Sequence, residues 1–179
     1  MIGKRATLVS FIAVVTGLAA TSCGTGGAAA GPPAFTLSSP DVTADGVVPD
    51  WAIGRFGGLC DGKNRSISLR WTDAPAATES FTVVMVNDSY THWVITGIPK
   101  TATGFAATDD GRVSPGVLGQ SVNGPGSYTG PCVAGNQYVY TVYALDLTIN
   151  GNASTTIEDV RAAIEGHVLA ESSLTTQRP

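Results

Sequence analysis

Two apolar runs, Phe81–Val86 and Trp93–Ile98, flank a short polar stretch, Asn87–Thr91, and this pattern predicts a β-hairpin. Both runs are rich in the β-branched and aromatic residues that suit a pleated, half-buried surface. The Asn, Asp and Ser between them can bond their own backbone and reverse the chain. Two buried strands meeting at such a turn hold Asp88 and His92 at the rim of a sheet. Nowhere else does an acid lie so close to an imidazole between two apolar strands.

The other apolar segments extend the β pattern. Tyr138–Asp146 is the strongest strand signal, with Tyr138, Tyr140, Val142 and Ala144 on one face and Val139, Thr141, Tyr143 and Leu145 on the other. Both faces are largely apolar, which predicts an interior strand. Ser66–Trp71 alternates, burying Ile67, Leu69 and Trp71 on one side. Phe35–Ser39 is a short strand stopped by Pro40, Asp41–Gly58 is irregular, and Cys60–Asn64 is a turn at Asp61-Gly62. Lys100–Gly126 reads as a long polar loop anchored by Phe105, Val113, Val117, Leu118 and Val122, and a segment of that length suggests a functional surface or short strands. Gly124–Cys132 is a glycine–proline loop presenting Tyr128. One helix is expected, opened by a capping box at Thr155–Glu158. Ile157, Val160, Ala163 and Ile164 form its apolar stripe and Gly166 stops it. Val168–Thr175 is a strand or a helix extension. These signals together predict a mainly β domain over 35–176.

The first 22 residues have a different character. Lys4 and Arg5 precede an apolar run from Ala6 to Ala20, followed by small residues directly before Cys23, the arrangement of an export signal. The run is short for a transmembrane anchor, which needs about 20 apolar residues. Cys23 after Ala20-Thr21-Ser22 resembles a bacterial lipobox, although Ala20 stands where such boxes usually carry Leu; ordinary secretion is the alternative. Cys23 is accordingly the lipidation candidate, residues 23–34 a flexible tether, and the expected location the cell membrane, on its extracytoplasmic side.

Composition narrows the partners. The chain has 179 residues with 10 Lys+Arg against 14 Asp+Glu, and loss of Lys4 and Arg5 takes the formal charge from −4 to about −6. No basic run or aromatic–basic interleaving is present, which argues against nucleic acid and against electrostatic docking on anionic lipid. Membrane contact is expected through the anchor alone. The 22 Gly and 10 Pro fit a turn-rich β-protein. Once Cys23 is set aside, Cys60 and Cys132 form a pair that an exported domain can bridge. The alternative is two thiols packed as small hydrophobes.

Several short motifs fall in one order: Cys60–Asn64 with Leu69-x-Trp71, Thr91–Val94, Ile98-Pro99, Gly126–Cys132, Tyr143–Asp146 and Glu165–Glu171. In this the chain resembles the bacterial Raf-kinase-inhibitor-like branch of the phosphatidylethanolamine-binding protein family, from about Phe35 to Thr175. The resemblance implies an antiparallel central sheet flanked by a smaller one, with short peripheral helices. It also implies a small pocket at a sheet edge that accepts anions such as phosphate head groups. Carried over by position, His92 matches the family's pocket histidine, Gly130 and Pro131 its Gly-Pro loop, and Tyr138 its tyrosine. Asp88 is the sole candidate survivor of an Asp-Pro-Asp-x-Pro segment. Asn136-Gln137 stands where the family has His-Arg, so the permanent charge that binds phosphate bidentately is missing. A weakened or altered anion site follows, with Asp88, His92, Gly130, Pro131, Asn136 and Tyr138 as ligand-binding candidates.

Catalytic and metal readings are weak. Ser89, His92 and Asp88 lie too close together to set a base between nucleophile and acid, and no nucleophile elbow exists. Cys60, His92, Cys132 and His167 lack the short ligand spacing of zinc sites. His167, following the helix stop, caps or packs. The sequons at Asn64, Asn87 and Asn152 are expected by chance in a chain this rich in Ser. No cofactor, metal or catalytic residue is therefore expected. Two functions remain: a tethered, non-enzymatic binding module, or an interaction or inhibitor domain with a vestigial pocket that contacts an unknown partner through 100–126.

Overall fold

The computed structural model describes residues 33–179. The expected signal segment 1–22, the lipidation candidate Cys23 and residues 24–32 of the expected tether lie outside the described residues. Ten strands follow in order: β1 (Thr36–Ser38), β2 (Arg55–Phe56), β3 (Cys60–Asp61), β4 (Leu69–Thr72), β5 (Ser80–Val86), β6 (Thr91–Pro99), β7 (Gly104–Phe105), β8 (Val117–Leu118), β9 (Gln137–Leu145) and β10 (Val168–Gln177), with one helix, α1 (Ile157–Ile164), before the last. A five-stranded antiparallel sheet runs β10–β9–β5–β6–β8, and a three-stranded sheet β1–β4–β7 packs beside it; β2 and β3 form a separate hairpin. The chain is thus mainly β, with β9 in the interior of the central sheet as its two apolar faces require.

Alternation along the central strands builds two cores. Phe81, Val83 and Met85 of β5 face the small sheet with Trp93, Ile95, Tyr140 and Val142, and meet Leu37, Leu69 and Trp71. Val84, Val94 and Leu145 point the other way, onto Ile157, Val160 and Ile164 of α1. The helix opens one residue later than its sequence suggests. Thr156 is the N-cap, its hydroxyl accepting from the Asp159 N–H at 3.1 Å, while the Asp159 carboxylate accepts from the Thr156 N–H at 2.9 Å. Asp is shorter than Glu, yet at the third helical position it still reaches back to the cap.

One sequence expectation is corrected, and two that were left open are decided. Cys60–Asn64 is not the turn: Cys60 and Asp61 pair with Phe56 and Arg55, and the chain reverses at Gly57–Leu59. Val168–Gln177 is a strand throughout, paired along β9. Lys100–Gly126 is not a free loop. It supplies β7 to the small sheet and β8 to the large one. Its Ala102 and Gly111 carbonyls accept the indole N–H groups of Trp71 and Trp93, each at 2.9 Å. A buried indole needs such an acceptor, so this segment satisfies both indole donors of the core.

Candidate functional site

His92 reaches its place through an irregularity in strand pairing. Met85 pairs with Trp93 and Val86 with Thr91, so β6 carries one extra residue, His92, in a β-bulge. Regular alternation would send the neighbours His92 and Trp93 to opposite faces; a bulge re-aims a side chain. The His92 ring accordingly meets Tyr138, a member of the same core as Trp93, edge to face with centroids 5.0 Å apart.

The loop before β9 locks this histidine at two points. The Thr129 N–H donates to the His92 carbonyl at 3.0 Å, and the ring Nδ1 lies 3.0 Å from the Thr129 carbonyl. A carbonyl can only accept, so Nδ1 carries the hydrogen and Nε2 presents a lone pair. His92 is only 4% exposed, and its Nε2 has no partner within the protein. Burial pushes the imidazole below its ordinary pKa, outweighing the opposing pull of the Thr129 carbonyl. The ring is held neutral.

A cavity of about 180 Å³ opens against this ring and the Tyr138 side chain. Its walls are Val122, Thr129, Cys132 and Val133. Its mouth is formed by Phe56 and Leu59 from the β2–β3 hairpin, by Asn87, Ser89 and Tyr90 from the β5–β6 turn, and by Asn136. Among the described residues, none that lines it is charged at neutral pH. Phe56, Leu59, Tyr90 and Val133 are also conspicuously solvent-exposed for apolar or aromatic side chains.

The predicted site residues divide. His92, Asn136 and Tyr138 line the cavity; Asp88, Gly130 and Pro131 do not. Asp88 is exposed in the turn, and the partner of His92 is Thr129 rather than this acid. The turn is closed instead by Asn87, whose side-chain oxygen accepts from the Ser89 and Tyr90 N–H groups at 3.0 and 2.8 Å. Gly130 and Pro131 sit behind the wall in a crossing of two backbones: a Cβ on Gly130 would lie 2.2 Å from the Ala52 carbonyl oxygen. Tyr138 offers its ring alone, because its hydroxyl accepts from the Cys132 and Val133 N–H groups at 2.9 and 2.8 Å. A disulfide joins Cys60 to Cys132, tying the mouth hairpin to that wall. His167 is exposed and pairs with Asp146 at 2.8 Å, remote in sequence from the cavity walls.

Sequence reasoning missed Thr129, Asn64 and the apolar mouth. Asn64 is buried and ties its own segment to two loops: its amide donates to the Tyr128 carbonyl and Asp110 carboxylate, and its oxygen accepts from the Gly130 N–H. Its left-handed backbone, φ +57°, is one that Asn tolerates better than most residues. A polar residue beside a half-buried strand was the available signal. Thr129 gave none, since it acts through its backbone.

Comparison with known proteins agrees with this architecture. The chain is 36% identical over 125 residues, 64% of its length, to the "UPF0098 protein" of Methanothermobacter thermautotrophicus, covering 83% of that protein. It is 34% identical over 101 residues to "Putative lipoprotein LppC" of Mycobacterium tuberculosis, half of this chain and 48% of that one. The crystal structure of Escherichia coli YbcL, described as a new member of the mammalian PEBP family, superposes with a TM-score of 0.72 at 24% identity, covering 80% of this chain and 97% of that one. The family model for phosphatidylethanolamine-binding protein matches residues 38–178. The chain belongs to the phosphatidylethanolamine-binding protein family.

Proposed function

We propose that the protein is an envelope-tethered, non-enzymatic binding module whose family pocket has a weakened affinity for anions. One observation carries this reading: the cavity beside His92 and Tyr138 has no charged lining side chain among the described residues. Phosphate recognition draws on charge-assisted hydrogen bonds, which are roughly twice as strong as neutral ones. Here Asn136 stands at the mouth, and the imidazole that lines the cavity is neutral, its Nε2 buried without a partner. A dianion entering this space loses its hydration and meets no cation. Among the described residues His92 Nδ1 is engaged by a backbone carbonyl and Ser89 is exposed in a turn, so the two do not form a base–nucleophile pair, which supports a binding role.

The tether rests on Cys23 with its preceding small residues, and the printed name of the mycobacterial relative is consistent with it. Intact mass of the membrane-extracted protein tests it: acylated Cys23 supports the reading, and a free or absent Cys23 on a protein recovered from the medium rejects it. Calorimetry with phosphate, phosphoethanolamine and acetate tests the pocket. Dissociation constants of millimolar or weaker are expected, and micromolar phosphate binding rejects the altered site. Contact with a partner through 100–126 is the less favoured reading, because that segment is built into both sheets.

A further inference from the structure

Resting on the binding-module reading, we infer that the pocket selects an uncharged, largely apolar ring or short chain ending in a single O–H or N–H donor, with that donor directed at His92 Nε2. Two independent features lead there. The first is a 96% buried imidazole, with Nδ1 spent on the Thr129 carbonyl and Nε2 unpartnered, in the wall of the cavity. A neutral imidazole nitrogen without hydrogen can only accept, so the complementary ligand atom is a donor. Burying an acceptor without a partner is costly, and a donor from the ligand removes that cost.

The second feature is the shell around it. Tyr138 contributes a ring face, its hydroxyl being held by two backbone N–H groups. Val122 and Val133 form the sides, and Phe56 and Leu59 lie at the opening, 37% and 61% exposed. A ligand polar at its tip and apolar behind it matches this order. An anion does not, because it meets an acceptor nitrogen at the buried end and no cation anywhere on the lining, whose side-chain amides, Asn87 and Asn136, are neutral. The volume of about 180 Å³ sets the size. Cavities of roughly 150 Å³ hold benzene, so one aromatic ring with a small substituent fits and a larger body extends over the mouth.

The test is a titration of the intact protein, 15N-labelled at histidine, with p-cresol, toluene and inorganic phosphate. p-Cresol is expected to shift the His92 Nε2 resonance, and toluene to bind about three- to ten-fold more weakly, the worth of one hydrogen bond. Phosphate is expected to leave His92 unmoved at matched concentrations. Val133→Asp, at a side-wall position that is 38% exposed, should weaken p-cresol binding without unfolding the domain. Equal affinity for p-cresol and toluene overturns the donor requirement. A phosphate response without a p-cresol response overturns the ligand class while leaving a binding module. Silence of His92 toward all three probes removes the module itself.

Discussion

At the scale of single residues, His92 sets a measurable pH dependence. Its folded pKa lies below the ordinary 6.5 because burial disfavours the imidazolium. Below that pH the unfolded chain takes up a proton that the native ring resists, so stability rises with pH across this range and falls as pH drops beneath 6.5. Unfolding free energies from urea titration between pH 8 and 5 should therefore fall more steeply for the native protein than for His92→Gln. Identical slopes would contradict a buried neutral ring. Asn64→Ala should cost about 2 kcal/mol or more, since the Gly130 N–H and Tyr128 carbonyl each lose a buried partner. Gly130→Ala drives a methyl group into the Ala52 carbonyl, and overpacking of this kind costs about 1–3 kcal/mol, more where backbone must move. A melting temperature unchanged in either variant would contradict the crossing described. The sequence marked His92, Tyr138 and Asn136 as neighbours only through a family resemblance. It could not separate Gly130 as a packing residue from Gly130 as a pocket residue, because both uses demand the same missing side chain.

At the scale of elements, the legible features were those with periodicity. β5, β6 and β9 follow from apolar runs, and the helix from its stripe at Ile157, Val160 and Ile164. Position within an element was less legible. The capping box fell one residue late because Thr155 and Thr156 both precede an acid by three residues, and only the backbone entering α1 selects Thr156. Thr156→Ala should lower stability by about 1 kcal/mol, whereas Thr155→Ala leaves the cap intact and loses the contact its hydroxyl makes with the Asn152 N–H. Equal retention of helix opening in both, read by amide exchange at Asp159, would place the cap elsewhere. The bulge at His92 was invisible because alternation on either side of it is regular, and one surplus residue leaves no trace in an apolar pattern. Segment 100–126 stayed ambiguous for the opposite reason. Its two-residue strands are too short to show a period, and their pairing with Leu69-Arg70 and Ile95-Thr96 is decided by those partners.

For the whole molecule, the long-range closure between Cys60 and Cys132 is the feature most exposed to experiment. The two residues are 72 apart in sequence with Cα atoms 5.4 Å apart, and both are buried. Three distant parts of the chain meet at this point. The β2–β3 hairpin arrives through Cys60, the loop before β9 through Cys132, and the C-terminus through Arg178, whose guanidinium donates to the Cys132 carbonyl. A crosslink closing a loop of this length stabilises by about 4 kcal/mol in the chain-entropy model. Domains of this size have about 5–15 kcal/mol in all, so reduction should leave a folded but much weakened protein. Urea unfolding with and without reductant should show an unfolding free energy lower by about that amount, with the midpoint moved down accordingly, and Cys60→Ala with Cys132→Ala should reproduce it without reductant. Because the hairpin carries Phe56 and Leu59, its amides should exchange faster in the reduced form, while β5 and β9 remain protected. An unchanged midpoint together with two alkylatable thiols in the untreated protein would show the cysteines to be packed but unbridged, and would leave the mouth held by side-chain contacts alone.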